Sequence, residues 1–307
     1  MALNAALKQL IDTKLAHTSR PQWELPIADV RQAFRNLWTP ALTGEPATLP
    51  RIEDITIPGT DSSIAARLYA PDATRRCRLM LYFHGGGYVK GGIDESDALC
   101  RNLARATGHT VLSIDYRLAP EHCFPAALED AVASTVWAAT HALELGAEPG
   151  AVVVCGESAG GNLAAVTALR LRSDPRVAIR YQVLLQPVID FTLSFPSIDM
   201  PATECLVPRA DLDWYYRTYR DGRCDPRDER VSPINAHDFS GLAPALIIAA
   251  EFDSLRDEAQ AYSARLESAG IATRYICAEG MAHGFLQMVG IVREPESALQ
   301  EIARALK

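Results

Sequence analysis

Residues 152–161 read Val-Val-Val-Cys-Gly-Glu-Ser-Ala-Gly-Gly, and this stretch decides the fold. An apolar run long enough for a buried strand leads directly into a Gly-x-Ser-x-Gly pattern, and small residues suited to a closely packed helix follow. A tight turn between a strand and a helix strains the backbone at the serine and pushes its hydroxyl outward. We therefore predict that Ser158 is a nucleophile, with Gly156, Glu157 and Gly160 completing its motif.

Residues 84–87, His-Gly-Gly-Gly, follow a second apolar run at 79–83. Ligands of open α/β sheets bind at the carboxyl ends of strands, and glycines leave backbone N–H groups uncovered there. Acyl transfer places negative charge on a carbonyl oxygen, which such N–H groups stabilise. We predict that Gly86, Gly87 and Ala159 donate these hydrogen bonds, because a plain tight turn would need only one or two glycines.

A serine hydroxyl is weakly nucleophilic near neutral pH and needs a histidine to take its proton. His283 follows the last strand-like run, so its loop is expected at the same sheet edge as Ser158, and it is the predicted general base. His84, next to Gly85, is expected to anchor the glycine-rich segment by a hydrogen bond rather than to transfer protons. The other histidines are interpreted as structural, packing or surface residues: His17, His109, His122, His141 and His237.

A carboxylate must hold that histidine in the right tautomer. Four carboxylates follow the apolar run at 246–250: Glu251, Asp253, Asp257 and Glu258. Ser254 and Asp257 match a capping box, so the last two carboxylates are assigned to the first turn of a helix. Asp253 then remains free in the loop and is the predicted acid, and Glu251 is the second candidate.

Short apolar runs recur along most of the chain. Eight of them are predicted strands: residues 52–57, 64–69, 79–83, 110–114, 152–155, 183–186, 246–250 and 273–277. The first two flank Gly-Thr-Asp-Ser and predict an antiparallel pair. Helical patterns lie between later runs, at 125–145, 159–172 and 257–268. Strands that alternate with helices predict an α/β fold with a mainly parallel eight-stranded sheet flanked by helices.

Residues 190–237 break this alternation, because they hold five prolines and no convincing core strand. One helical face within this insertion is aromatic: Leu212, Tyr215, Tyr216 and Tyr219. That face either packs onto the core or lines an acyl or alcohol pocket, and Trp38 has the same two explanations. At the N-terminus, an apolar stripe at helical spacing predicts a helix that covers something larger: Leu3, Leu7, Leu10, Ile11 and Leu15.

The 307 residues carry a net charge of -8, which argues against a nucleic-acid partner. Seven cysteines show no Cys-x-x-Cys spacing, so we predict mostly reduced core thiols and neither a metal nor a cofactor. The sequence shows no signal-peptide pattern and no run long enough to span a bilayer. We therefore expect a cytoplasmic protein without stable membrane insertion.

Five motifs together resemble the hormone-sensitive-lipase family of α/β hydrolases. They are the segments at 84–87, 116–122 (Tyr-Arg-Leu-Ala-Pro-Glu-His), 156–160, 253–258 (Asp-Ser-Leu-Arg-Asp-Glu) and 283–285 (His-Gly-Phe). The chain order Ser158, Asp253, His283 is also the order of α/β hydrolases. A glutamate before the nucleophile resembles the branch of the family whose acid is the first aspartate of the 253–258 segment, which supports Asp253.

The resemblance implies an α/β-hydrolase catalytic domain at 48–307, with residues 1–47 and 190–237 forming a helical cap. It further implies a serine carboxylesterase that acts on small-molecule esters with short to medium acyl chains, and it raises the expectation of a homodimer. An amide or thioester deacylase would use the same residues. A ligand-binding relative without catalysis, like the plant gibberellin receptors, is disfavoured because all three predicted catalytic residues are present.

Overall fold

A computed structural model describes residues 2–17 and 20–307, and its centre is one eight-stranded sheet. The strands are β1 (Arg51–Pro58), β2 (Ser63–Ala70), β3 (Leu79–Phe83), β4 (Thr110–Asp115), β5 (Val152–Glu157), β6 (Ile179–Leu185), β7 (Ala245–Phe252) and β8 (Thr273–Ala282). Their order is β1-β2-β4-β3-β5-β6-β7-β8, and β2 runs antiparallel to both of its neighbours. All other neighbouring strands are parallel, so the predicted sheet and its antiparallel pair are confirmed.

Helices cover both faces of this sheet. They are α1 (Ala5–His17), α2 (Ile27–Leu37), α3 (Pro40–Thr43), α4 (Asp97–Thr107), α5 (Ala126–Thr140), α6 (Ala159–Leu171), α7 (Arg209–Arg220), α8 (Arg256–Ser268) and α9 (Glu294–Ala305). Residues of α5, α6, α7 and α8 belong to one buried apolar cluster, and residues of α1, α4 and α9 belong to a second.

The strand β3 shows why the central runs are apolar at every position. Leu81 and Phe83 belong to the first cluster, whereas Met80 and Tyr82 belong to the second. Successive side chains of a strand point to opposite faces, and here both faces are covered by helices. All five residues of β3 are consequently buried.

The strand register brings four loops to the carboxyl edge of the sheet. Three pairs mark this edge: Phe83 with Gly156, Glu157 with Leu185, and Phe252 with Ala282. The residues that follow these pairs are His84, Ser158, Asp253 and His283. Aligned strand ends therefore place all four on one rim, as their positions after apolar runs predicted.

Several predicted element boundaries differ from the structure. Among the strands, β7 extends to Phe252 rather than ending at residue 250, and β8 extends to Ala282 rather than ending at residue 277. The helix α5 ends at Thr140 rather than at residue 145, and a turn follows in which Leu145 N–H donates to the His141 carbonyl over 3.2 Å. The strand β6 begins at Ile179 rather than at residue 183. Its first three residues are partly buried or exposed, so this end of the strand lacks the apolar run that marks a buried strand.

The insertion at 190–237 contains α7 and two short 3₁₀ helices and no strand, as predicted. Part of its aromatic face packs onto the core, since Tyr219 stacks on Tyr88 with ring centroids 4.0 Å apart. Tyr216 stacks at the same distance on Phe191, which lies at the start of the insertion and belongs to the first buried cluster. The third tyrosine, Tyr215, instead donates from its hydroxyl to Gln22 Oε1 over 2.9 Å. The insertion therefore contacts both the core and the N-terminal segment.

The helix α1 buries Leu7 and Ile11 in the second cluster, and Leu3 and Leu10 pack against that cluster. The side chains of Leu15 and His17 lie outside the described residues. The Lys14 ammonium donates to the Leu206 carbonyl over 2.6 Å, which joins α1 to the insertion.

The seven cysteines are free thiols, five of them buried. Within 2–17 and 20–307, no helix is both long enough and apolar enough to cross a membrane.

Candidate active site

Ser158 occupies the turn between β5 and α6, with φ 56° and ψ -118°. Its N–H donates to the Leu185 carbonyl over 2.8 Å, and its own carbonyl accepts from Asn162 and Val188, each over 3.1 Å. This positive φ is unfavourable for a residue with a side chain, and the surrounding bonds hold it in place. We call residues 156–160 the elbow.

The glycines of the elbow are required by close packing. A Cβ atom on Gly160 would lie 1.9 Å from the Phe83 carbonyl oxygen, and one on Gly156 would lie 2.1 Å from the Gly160 carbonyl oxygen. A side chain at Gly160 would push the elbow away from β3, and one at Gly156 would force the elbow itself apart. The two glycines thus bring Ser158 against residues 84–87, the segment we call the glycine loop.

The glycine loop is anchored at its histidine. The ring of His84 is fully buried and stacks on Tyr116 at 4.2 Å, and its Nδ1 lies 2.7 Å from the Gly85 carbonyl oxygen, to which it donates. The Tyr116 hydroxyl donates to the His84 carbonyl over 2.7 Å. Burial lowers the pKa of His84 to about 4, so the ring is neutral at pH 7.

The predicted N–H donors are Ala159, within the elbow, and Gly86 and Gly87, which directly follow the glycine that packs against the elbow. Gly86 and Gly87 have φ values of 121° and 64°, and a Cβ on the preceding Gly85 would lie 3.5 Å from the Ser158 Cβ. Ala159 is the first residue of α6, where backbone N–H groups have no partner within the helix. These positions suit donors to an oxygen held next to Ser158.

His283 and Asp253 are brought together at 2.8 Å between Nδ1 and Oδ2. Asp253 is 1% exposed, and its other oxygen accepts from the Leu255 N–H over 3.0 Å. A carboxylate on Nδ1 leaves Nε2 of the same ring as the atom available to take a proton. Glu251, the second candidate, accepts instead from the Gly280 N–H over 2.7 Å.

The capping box predicted for α8 is wrong. The residue before the helix is Leu255, with no side-chain cap, and the Ser254 hydroxyl donates to the Val207 carbonyl over 2.7 Å. Asp257 accepts from the Ser197 N–H over 2.9 Å, and Glu258 accepts from the Ile189 N–H over 2.7 Å. Asp257 and Glu258 do lie in the first turn of α8, as predicted, but their carboxylates bind backbone N–H groups of the insertion and of Ile189 just before it.

Two side-chain bridges that the sequence analysis missed hold residues 283–287, the His283 loop. Gln186 Oε1 accepts from the Gly284 N–H over 2.7 Å, and Gln287 Nε2 donates to Glu157 Oε2. The only signal for these glutamines is their position, since each is polar within an otherwise apolar stretch at the sheet edge.

Electrostatics in the site favour a protonated imidazole more than in water. Burial lowers the pKa of His283, but the charge and hydrogen bond of Asp253, aided by Glu157, raise it above its ordinary value. Burial raises the pKa of Glu157, while the nearby His283 ring opposes that shift. A base of this kind can take a proton and remain stabilised as a cation.

A family model described as the alpha/beta hydrolase fold matches residues 80–287. The carboxylic ester hydrolase LipN of Mycobacterium tuberculosis is 43% identical over 83% of this chain and 70% of its own length. The ethyl acetate hydrolase of Pseudomonas putida is 35% identical over 100% of this chain and 99% of its own. The chain belongs to the hormone-sensitive-lipase-like carboxylesterase family of α/β hydrolases.

Solved structures of this family have the same architecture. A hyperthermophilic esterase from the archaeon Pyrobaculum calidifontis superposes with a TM-score of 0.94 at 38% identity, covering 100% of this chain and 98% of its own. The predicted family and the α/β-hydrolase fold are therefore confirmed. Among the described residues, no group of three or more His, Cys, Asp or Glu side chains is placed to hold a metal ion.

Proposed function

We propose that this chain is a serine carboxylesterase that hydrolyses small-molecule esters with short to medium acyl chains. Ser158 is the proposed nucleophile, His283 the general base and Asp253 the residue that orients His283. The observation that carries the proposal is the 2.8 Å contact between Asp253 and His283, on the rim where the backbone of Ser158 has a φ of 56°. No cofactor is needed for this chemistry.

The proposed reaction has two halves. Ser158 Oγ attacks the ester carbonyl carbon while His283 Nε2 takes the hydroxyl proton, and the oxyanion accepts from the N–H groups of Gly86, Gly87 and Ala159. The C–O bond of the ester breaks, the alcohol leaves with the proton from His283, and an acyl-enzyme remains. Water then attacks the acyl carbon and gives a proton to His283. The bond from the acyl carbon to Ser158 Oγ breaks, His283 returns the proton to Oγ, and the carboxylic acid leaves.

The proposed cap consists of residues 1–47 and 190–237, over a catalytic domain at 48–307. Tyr215 supports it, because a Cβ on Gly87 would lie 2.4 Å from the Tyr215 ring. The Lys90 ammonium donates to Gln22 Oε1 over 3.1 Å and lies 5.0 Å from the centre of the Tyr215 ring. These contacts join the glycine loop and the nearby Lys90 to the two segments, so the cap would bound the substrate pocket.

The substrate range rests on relatives, one of which is named for ethyl acetate. Amide and thioester bonds present the same carbonyl to the same residues, so an amide or thioester deacylase is the alternative function. We propose that the rate of ester hydrolysis exceeds the rate of hydrolysis of matched anilides. A location in the cytoplasm and assembly as a homodimer stay predictions.

Ser158→Ala tests the proposal directly. It should reduce hydrolysis of p-nitrophenyl acetate and butyrate to background while the thermal unfolding midpoint stays close to that of the parent protein. An organophosphonate should add its mass to Ser158 in the parent and not in the variant. Unchanged turnover in Ser158→Ala would disprove the assignment, and a parent protein that neither turns over esters nor is labelled would favour a ligand-binding protein.

A further inference from the structure

Glu157 is a buried carboxylate to which the proposed reaction assigns no step. It is 2% exposed and directly precedes Ser158. Its Oε2 accepts from Gln287 Nε2, and a Cβ on Gly85 would lie 3.4 Å from that oxygen. The carboxylate therefore sits between the glycine loop and the His283 loop.

The His283 loop needs such support because strand pairing stops short of it. The strand β8 ends at Ala282, and the loop continues through the 3₁₀ helix Phe285–Gln287. Besides the bond of His283 to Asp253, its described side-chain links at this edge come from Gln186 and from Glu157, the latter through Gln287. Gln287 is itself 6% exposed, so water competes little for its hydrogen bond.

Burying a carboxylate in order to bind an amide is energetically unfavourable. Burial disfavours its charged form, and Oε1 of Glu157 has no hydrogen-bond partner among the described residues. The titratable groups that act on Glu157 or feel its charge are His283, Asp253, Tyr82, Cys100 and Cys155. Only His283 among them becomes a cation, so it is the group that a second carboxylate can stabilise.

We propose that Glu157 is a positioning residue for His283, an inference that rests on the proposed function. Its carboxylate holds Gln287, and through it the His283 loop, against the elbow, and its negative charge stabilises the imidazolium together with Asp253. A positioning role predicts two separable effects, one on the geometry of the loop and one on the protonation of His283.

Glu157→Gln tests the effect of charge, because the shapes of the two side chains are nearly equal. In the parent protein, kcat/KM falls as pH drops through the pKa of His283, since the base must be neutral in the free enzyme. Removing the carboxylate lowers that pKa, so the acid limb should move to lower pH by roughly half a unit or more. An acid limb that stays in place would overturn the charge effect.

Gln287→Met tests the geometric link while leaving Glu157 in place. We expect kcat to fall about 10–100-fold, because a small displacement of the base misaligns proton transfer, and KM to change little. The double variant Glu157→Gln/Gln287→Glu exchanges donor and acceptor and should recover most of the lost kcat. Recovery of the fold without recovery of kcat would contradict the positioning role.

A matched control is Gln182→Met. Gln182 is fully buried on β6 and donates to the Ala243 carbonyl over 2.8 Å, away from the His283 loop. It should lower the unfolding midpoint and leave both kcat and the acid limb unchanged.

Phosphonate labelling and ester turnover by the parent protein separate the two proposals. If the parent is active and Ser158 is labelled, but Gln287→Met keeps its kcat and Glu157→Gln keeps its acid limb, the positioning role is wrong and the esterase assignment stands. Loss of the fold in both single variants would also overturn the inference, since the pair would then serve the core rather than the active site.

Discussion

Asp253 and Glu251 lie two residues apart and hold different partners. Asp253 accepts from His283, so Asp253→Asn should lower kcat by about 10³–10⁴-fold, because an amide presents a donor to Nδ1 and favours the wrong tautomer. Glu251 instead accepts from the Gly280 N–H, so the kcat of Glu251→Gln should stay within about tenfold of that of the parent protein. Stopped-flow turnover of p-nitrophenyl butyrate, normalised to phosphonate-titrated sites, measures both. The reverse order of effects would assign the acid to Glu251.

At the level of elements, α7 rests on the glycine loop through Tyr215. A methyl group at Gly87 would lie 2.4–2.7 Å from carbons of the Tyr215 ring, in a backbone with φ 64°. Gly87→Ala should therefore lower the free energy of unfolding by more than the roughly 1–2 kcal/mol expected from left-handed backbone strain alone. It should also lower kcat/KM at least about tenfold. Chemical denaturation and ester kinetics give the two values.

Gly222→Ala is the matched control for this contact. Gly222 has a φ of 69°, close to that of Gly87, but nothing lies within 4 Å of its added methyl group. It should show the strain cost alone and normal kcat/KM. Equal losses in the two variants would mean that α7 does not constrain the loop.

The elements that the sequence predicted correctly are those whose local pattern and tertiary environment agree. The runs at β3 and β5 are apolar because helices cover both faces, and the elbow glycines are required by contacts near in sequence and register. The capping box predicted at Ser254 is wrong because a serine hydroxyl caps a helix only when no other partner binds it. Here the Val207 carbonyl, distant in sequence, accepts the hydrogen bond of the Ser254 hydroxyl. The pairing of Glu157 with Gln287 could not be predicted from sequence patterns, since 130 residues separate the two side chains.

In the whole molecule, two apolar layers share one sheet, but only one layer holds the His283 loop. Ile11 of α1 is 1% exposed in the cluster that includes Phe285 and Leu286, whereas Ile64 of β2 is 2% exposed in the opposite cluster. Ile11→Ala and Ile64→Ala should each destabilise by about 2–5 kcal/mol, because each leaves a cavity in a packed layer. Since both layers pack on the same strands, each variant should unfold in a single transition.

The two variants should differ in turnover. A cavity in the cluster that contains Phe285 and Leu286 should loosen the segment that follows His283, so Ile11→Ala should lower kcat at 25 °C, well below its unfolding midpoint. A cavity at Ile64 lies across the sheet from that loop and should leave kcat unchanged at the same temperature. Calorimetry with active-site titration separates folded fraction from turnover, and equal kcat values in the two variants would show that the N-terminal helix stabilises the fold without supporting the base.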